Sequence, residues 1–380
     1  MQVEASPLWP HNTDFPKLAG DIKVDVAIVG GGIAGISSAF FLGLRGYKVA
    51  LVESEQIASA ATGASSGTLF YGSETDFQES IKRYGIDSAK ALFSETKSGI
   101  EFMIDLIKKE NISCGLREPG IIFAAKNEAE AAYLEKEQET AKQFGINGKI
   151  LDSNEIANVF KGKQFISGAE YYCGQIHPGQ FVGAISQIIN PRFGVQIYEN
   201  TPMLSYSDNG ASAIVKTENG SIKADKVIVA TNIKPFYGLE KHFFVENSTV
   251  IPSKHLGDRV KEIMPVDKII ETLEEKYDIM YLQEGRLFLE LYSAKGAQEK
   301  IKEYFPSWVE FDINGQWGDS WSKTKDMLPI VGHVTSNIIA QVAMGDQGIV
   351  MGFTTGRRMA DIIEKKSDPF IEMLSPKRFG

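Results

Sequence analysis

The sequence predicts an α/β protein: a Rossmann-like domain built on a parallel sheet, joined to a second α+β domain with an antiparallel sheet. Three observations predict it. Residues 24–53 read as an apolar strand, a glycine turn, a helix and a second strand that ends on an acid. Residues 226–230 read as a strand that is continuously apolar from Val227 on, the pattern of a parallel strand buried on both faces. Between Val195 and Asn232, Asn209-Gly210 and Asn219-Gly220 separate short alternating segments, which predicts hairpins and a β-meander inside the crossover.

The elements follow in order. Residues 1–22 contain Pro7, Trp9, Pro10 and Pro16 and read as an irregular arm. After Val29, Gly30 permits the tight turn, Gly32 lets backbone approach a pyrophosphate, and Gly35 lets helix pack closely on strand. The helix then aims unpaired N–H groups at the phosphates. Glu53, 23 residues beyond Gly30, stands where a carboxylate accepts the hydroxyls of an adenosine ribose. A signal peptide or membrane helix over the same apolar stretch is excluded by Asp25, by the glycine cluster and by the lack of a basic flank. Residues 57–70 are rich in Ala, Ser, Thr and Gly, a composition suited to backbone lying against a ligand. Asp87 is the expected cap of a helix running to Glu110, with Leu92, Phe93, Ile100, Met103, Ile104 and Ile107 on one side. Residues 120–125 read as a strand. Asn127 with Glu130, and Asp152 with Glu155, have capping-box spacing. Residues 234–315 alternate strands with charged helical pieces, a second sheet. The chain closes with a strand over 338–344, glycines at 345, 348, 352 and 356, and a helix expected from about Thr354 to Glu364. The expected division is 1–80, 150–235 and 320–380 for the dinucleotide-binding domain, and 81–149 with 236–319 for a substrate or cap domain.

Composition narrows the partners. A chain of 380 residues with 43% apolar content can bury a large core. A net charge of −9 argues against nucleic acid or an anionic membrane surface. Cys114 and Cys173 form no C-x-x-C pair, which fits a reducing, cytoplasmic setting. His11, His177, His242, His255 and His333 show no metal-ligand spacing, so no metal is expected.

No second G-x-G-x-x-G follows a strand, so electrons are expected from the substrate and not from a nicotinamide. The extended fingerprint through Ala39 and Gly46, the Ser/Ala/Gly segment 60–67, the strand Val227-Ile-Val-Ala-Thr-Asn232, the run Asp326-Met-Leu-Pro-Ile-Val-Gly332, the closing glycine loop and helix, and Ser375-Pro-Lys-Arg-Phe379 together resemble the D-amino-acid-oxidase-like FAD oxidoreductases. That family includes glycine oxidase, sarcosine oxidase and dimethylglycine dehydrogenase. Trp317-Gly-Asp-Ser-Trp321 and Met344-Gly-Asp-Gln-Gly348 are most similar to the branch often fused to a Rieske domain, whose Cys/His ligands this chain does not carry. The resemblance implies a glutathione-reductase-type FAD-binding fold and oxidation of a C–N bond in an amine or amino acid. Hydride would pass from the substrate α-carbon to flavin N5, and oxygen or another acceptor would reoxidise the flavin.

Carried over by residue, the resemblance assigns Gly30, Gly32, Ile33, Ala34, Gly35, Glu53 and Ser54 to the adenosine diphosphate half of FAD. Thr62, Ser65, Ser66 and Gly67 would line the flavin and ribityl chain, and Met203 would present backbone to the adenine. Thr231 and Asn232 would edge the pyrophosphate. Gly345, Asp346, Gln347, Gly348, Ile349 and Val350 would meet the flavin ring, where the helix dipole favours the charge that develops on reduction. The arginine that clamps a substrate carboxylate in amino-acid oxidases is missing; Trp321 and Asp346 stand at the positions that would supply it. The histidine and cysteine that link flavin covalently in some relatives are missing too, so FAD is expected non-covalent. Tyr281, Trp321, Lys323 and Asp346 are the candidate substrate-pocket residues, with Trp317 beside them; core packing or an exposed salt bridge is favoured for Trp317, Trp321 and Lys323, a core aromatic for Tyr281, and a loop-turn role for Asp346. Lys254 is either an oxygen-activating cation or a solvated lysine, with the latter favoured. For His177, capping or packing is favoured over catalysis, and Cys173 reads as a buried hydrophobe. Competing readings are an NAD(P)H-dependent flavin hydroxylase, whose Gly-Asp motif Gly345-Asp346 mimics, and a non-catalytic FAD-binding assembly or electron-relay protein.

Overall fold

The computed structural model describes residues 12–234, 237–273, 277–292 and 295–380. Pro7, Trp9, Pro10 and His11 of the expected N-terminal arm lie outside the described residues. The chain separates into two compact units. Among the described residues, one comprises 12–116, Ile176–Val245 and Trp321–Gly380; the other includes Arg117–Gln175 and Glu246–Ser320.

The first unit carries an eight-stranded sheet. Its main path runs Ile330–His333, Ile338–Val342, Ser221–Val229, Ile22–Val29, Val49–Val52 and Gln196–Tyr198. Ile22–Val29 is parallel to Val49–Val52 and to Ser221–Val229, while Ile330–His333 is antiparallel to its neighbour. The predicted meander is present. Ser205–Asp208 pairs with Ala213–Lys216, which pairs with the first half of Ser221–Val229, and the two Asn-Gly pairs sit in the turns between. Val227, Ile228 and Val229 are fully buried, as continuous apolarity requires of a strand covered on both faces. The segment 12–21 is tied down by a residue that carries no sequence signal. Buried Glu199 accepts hydrogen bonds from Thr13 Oγ1, from Phe15 N (3.0 Å) and from Ile57 N (2.7 Å).

The second unit is built on the other eight-stranded sheet, ordered Trp317–Thr324, Phe243–Pro252, Arg286–Leu291, Asp278–Gln283, Ile269–Thr272, Ile121–Ala125, Ser167–Tyr171 and Gly148–Asp152. From Phe243–Pro252 to Gly148–Asp152 it is antiparallel as expected, except that Ile269–Thr272 and Ile121–Ala125 run parallel. One face, including Ile122, Ile251, Ile270, Met280, Leu287 and Leu289, packs into an apolar core with Phe160, Phe165 and Phe305.

The borders differ from those expected. The helix Ile86–Glu110 belongs with the parallel sheet because it packs against the helix Gly348–Arg357, Gly99 lying directly under Thr354. Residues 150–175 belong with the antiparallel sheet because Gly148–Asp152 and Ser167–Tyr171 pair within it. Two local expectations also shift. Asp87 is not a cap: Gly85, at φ +78°, precedes the helix and Asp87 lies in its first turn. The closing helix begins at Gly348, six residues before the expected Thr354, because Gly352 and Gly356 face the first helix and not a ligand. Both capping predictions hold. Asn127 accepts from Glu130 N, and Asp152 and Glu155 form a reciprocal box.

Candidate functional site

Every loop at the carboxyl end of the central parallel strands carries candidate residues, where a doubly wound sheet places its ligand. Gly30 follows Ile22–Val29, Glu53 follows Val49–Val52, Thr231 follows Ser221–Val229, and Gly345 follows Ile338–Val342. Gly30 turns at φ +112°, and a Cβ there would run into the carbonyl of Ala230. A Cβ on Gly35 would meet Gly30 O, so both glycines are required by backbone approach. Gly32 is different. It precedes the helix Ile33–Leu44 in extended backbone, and the Thr62 hydroxyl (3.0 Å) is the one described neighbour within 4 Å of a Cβ built on it. Open space at that point is the room a pyrophosphate needs.

Around this turn the chain supplies its own frame. Glu53 Oε2 accepts from Gly31 N (2.7 Å), and Glu53 Oε1 accepts from Ser54 Oγ (2.9 Å). Ile33 N donates to Thr62 Oγ1 (3.0 Å), so Thr62 caps the helix beside its assigned position. Ala34 is buried behind it. Ser65 Oγ accepts from Gly67 N, Ser66 bonds with Thr68, and Gly67 turns at φ +74° against Ile176. Met203 packs on the core of the parallel sheet, and Thr201 N donates to Glu53 O (2.7 Å) just before it.

The glycine loop is held from two sides. Gly345 (φ +74°) donates its N–H to Ser322 O at 3.1 Å, and Ser322 Oγ binds Asn232 O (3.1 Å) and Oδ1 (3.0 Å). Asn232 is itself left-handed at φ +51°. The loop expected at the flavin ring and the turn expected at the pyrophosphate edge therefore share one strand residue. Gln347 precedes the helix, with Gly348 half-buried and Ile349 and Val350 buried at its start. Gln347 Oε1 is buried and finds no donor among the described residues. A buried orphan acceptor at the start of the helix Gly348–Arg357 fits a group that presents ring N–H, as FAD does.

Of the pocket candidates, the structure brings Lys323 and Asp346 together through a residue that no motif announces. Glu74 Oε2 pairs with Lys323 Nζ (3.0 Å), and Glu74 Oε1 accepts from Asp346 N (2.9 Å). Burial, reinforced by repulsion from Asp346, pushes the Glu74 carboxyl up to about 7 against the pull of Lys323. Lys323 Nζ also lies 5.7 Å from the Phe244 ring centre. Trp321 is buried. Tyr281 lies in the other unit, fully buried and stacked on Phe288 at 5.0 Å, with Trp317 edge-on to Phe288. Its hydroxyl has no partner among the described residues, and burial raises its pKa well above the usual phenol value.

The remaining candidates make contacts within the fold. His177 precedes the helix Pro178–Phe193, bonds Gln180 (2.9 Å) and lies under Gly115. Lys254 is an exposed partner of Glu310. Cys173 and Cys114 are buried free thiols, and burial pushes Cys114 up to about 12. The Asp326 run and the terminal Ser-Pro-Lys-Arg-Phe meet: Arg378 bonds Asp326 (2.8 Å) and Leu328 O (2.8 Å). Among the described residues no cluster of metal-ligand side chains occurs, and no helix is long and apolar enough to cross a membrane.

Comparison with known proteins agrees with this geometry. The profile of the family described as FAD dependent oxidoreductase matches residues 25–362. The chain is 26% identical to gamma-glutamylputrescine oxidoreductase of Escherichia coli, covering 94% of this chain and 87% of that one. It is 25% identical to glycine oxidase of Geobacillus kaustophilus, covering 92% and 95%. A putative Rieske 2Fe-2S iron-sulfur protein of Bacillus subtilis is 22% identical over 98% of this chain and 75% of its own length. Among solved structures, glycine oxidase from Geobacillus kaustophilus superposes with a TM-score of 0.76 at 21% identity, covering 93% of this chain and 98% of that one. An L-amino acid deaminase from Proteus myxofaciens gives 0.78 at 18% identity, covering 97% and 96%.

Proposed function

Because the chain belongs to the FAD dependent oxidoreductase family, whose profile matches residues 25–362, we propose that it oxidises the C–N bond of an amine whose binding does not depend on a carboxylate. Bound FAD supplies the acceptor, at N5, for the hydride leaving the substrate α-carbon. The residues present fit that group, as the open cradle at Gly32 and the orphan acceptor of Gln347 indicate. We assign the bond to FAD as non-covalent: both thiols are buried, and Cys114 is held far from the thiolate form. With thiols kept reduced, the cytoplasm is the compartment that suits the chain.

One observation carries the substrate reading. The candidate that could replace the missing arginine, Lys323, already holds Glu74 as counterion at 3.0 Å. Glu74 and Asp346 thus set two carboxyls against one ammonium, a balance that favours an amine over a carboxylate, and the amine must give up its proton before its α-carbon can release hydride. Trp321 adds an aromatic face, worth roughly 0.5–2 kcal/mol toward an ammonium. Relatives bear on the class: one is named for gamma-glutamylputrescine and another for glycine. Oxygen or another carrier then removes the electrons.

Product analysis tests the reading. Incubation with alkylamines and with secondary amines should release carbonyl compound and amine or ammonia in equal amounts, with D-alanine and glycine turned over far more slowly. Rapid turnover of D-alanine or glycine would overturn the amine preference. A Trp321→Ala variant should raise the amine KM several-fold and keep its FAD content.

A further inference from the structure

The loop Gly345–Val350 begins in two successive constraints, and both are imposed by neighbouring residues of one strand. Ser322 O takes the N–H of Gly345 (3.1 Å), and Lys323 Nζ holds Glu74, whose other oxygen takes the N–H of Asp346 (2.9 Å). We propose that Glu74 is a positioning residue for the flavin: gripped by Lys323, it fixes the Gly345–Asp346 peptide and hence the loop and helix start that face the ring.

The geometry supports this in three ways. Both carboxylate oxygens are committed, one to a lysine and one to a backbone N–H, and the side chain is 6% exposed. The contact is also tight enough to exclude any side chain at the turn, since a Cβ on Gly345 would stand 2.5 Å from Glu74 Oε1. Finally, Ser322 passes the constraint to Asn232, so displacement of the strand moves both ends of the cofactor cradle together. A charge-assisted acceptor holds a peptide more firmly than a neutral one. The charged groups facing Glu74 are Lys323 and Asp346, which act on its ionisation in opposite senses. Glu74 therefore loses its charge as pH falls through about 7, which weakens both the ion pair and the grip on Asp346 N.

The inference rests on FAD seating against this loop, and its test needs no turnover. Holoprotein without substrate is titrated between pH 5 and 9, a window set about the Glu74 midpoint of about 7, while the visible flavin spectrum is recorded. The unmodified protein should show one spectral step near pH 7. Glu74→Gln should bind FAD and lose the step. Lys323→Met should move the step to higher pH, because the cation that stabilises the carboxylate is gone. Glu74→Ala should weaken FAD binding by about tenfold, the loss of one charge-assisted hydrogen bond. An unchanged step in Glu74→Gln, or unweakened FAD binding in Glu74→Ala, would overturn the proposal. A protein that shows the step yet oxidises no amine would defeat the proposed substrate and support the role of Glu74; a protein that binds no FAD would defeat both.

Discussion

Gly32 and Glu74 show how differently single residues announce themselves. Gly32 sits in a pattern whose physics is local: a strand, a turn and a helix start within a dozen residues. Replacing it with Val should leave a folded protein with little flavin, because the side chain fills the cradle beside Thr62; flavin content and far-UV circular dichroism would measure this, and full flavin in the variant would refute the site. Glu74 lies in no motif, and its partners Lys323 and Asp346 are more than 240 positions away in sequence, so only the fold reveals it. Its raised pKa has a sign. The stability it contributes is fully present below its ordinary value of 4.5 and is lost as pH rises through about 7. Glu74→Gln removes that dependence. The Tm of apo variant minus apo wild type should therefore rise between pH 4.5 and 7 and level off outside that window, as followed by thermal denaturation. A flat difference would show that Glu74 titrates normally.

At the scale of elements, two devices hold the cradle in shape. The helix Gly348–Arg357 crosses Ile33–Leu44 through Gly352 and Gly356; a Cβ on Gly356 would stand 2.6 Å from Ser37 Cβ and 2.8 Å from Ser38 N. Backbone cannot yield there as a flexible side chain can, so Gly356→Ala should cost about 1–3 kcal/mol of stability. Gly348→Ala should cost far less to fold, since its Cβ would meet only Met344 Cβ at an ordinary 3.6 Å. Denaturant melts of the two variants make the comparison, and equal stabilities would remove the crossing argument. The glycine ladder was visible in the sequence, but its periodicity alone does not say whether ligand or helix faces it. The second device is the C-terminal clasp, Arg378 on Asp326 and on the carbonyl of Leu328. Burial raises the Asp326 pKa, and Arg378 and Thr324 outweigh it to hold the carboxyl below its ordinary value. Arg378→Ala should expose the segment after Leu374 to proteolysis while leaving the core transition in place.

At the scale of the molecule, local patterns were legible and long-range partnership was not. The Asn-Gly turns, the capping boxes and the doubly buried strand depend on neighbouring residues, and each appears where its chemistry requires. The unit borders at Leu116 and Gln175 depend on which sheet a strand joins and which helix Gly99 meets, and composition carries no trace of either. The site follows the same rule: the glycine turn after Val29 was readable, whereas the Glu74, Lys323 and Asp346 constellation had to be assembled by the fold. The central claim, that this FAD dependent oxidoreductase takes its electrons from an amine, is tested most directly by anaerobic mixing of the yellow holoprotein with candidate reductants. The visible flavin absorbance should be lost with alkylamines or secondary amines, and should persist with NADPH. Bleaching by NADPH with no response to any amine would contradict it.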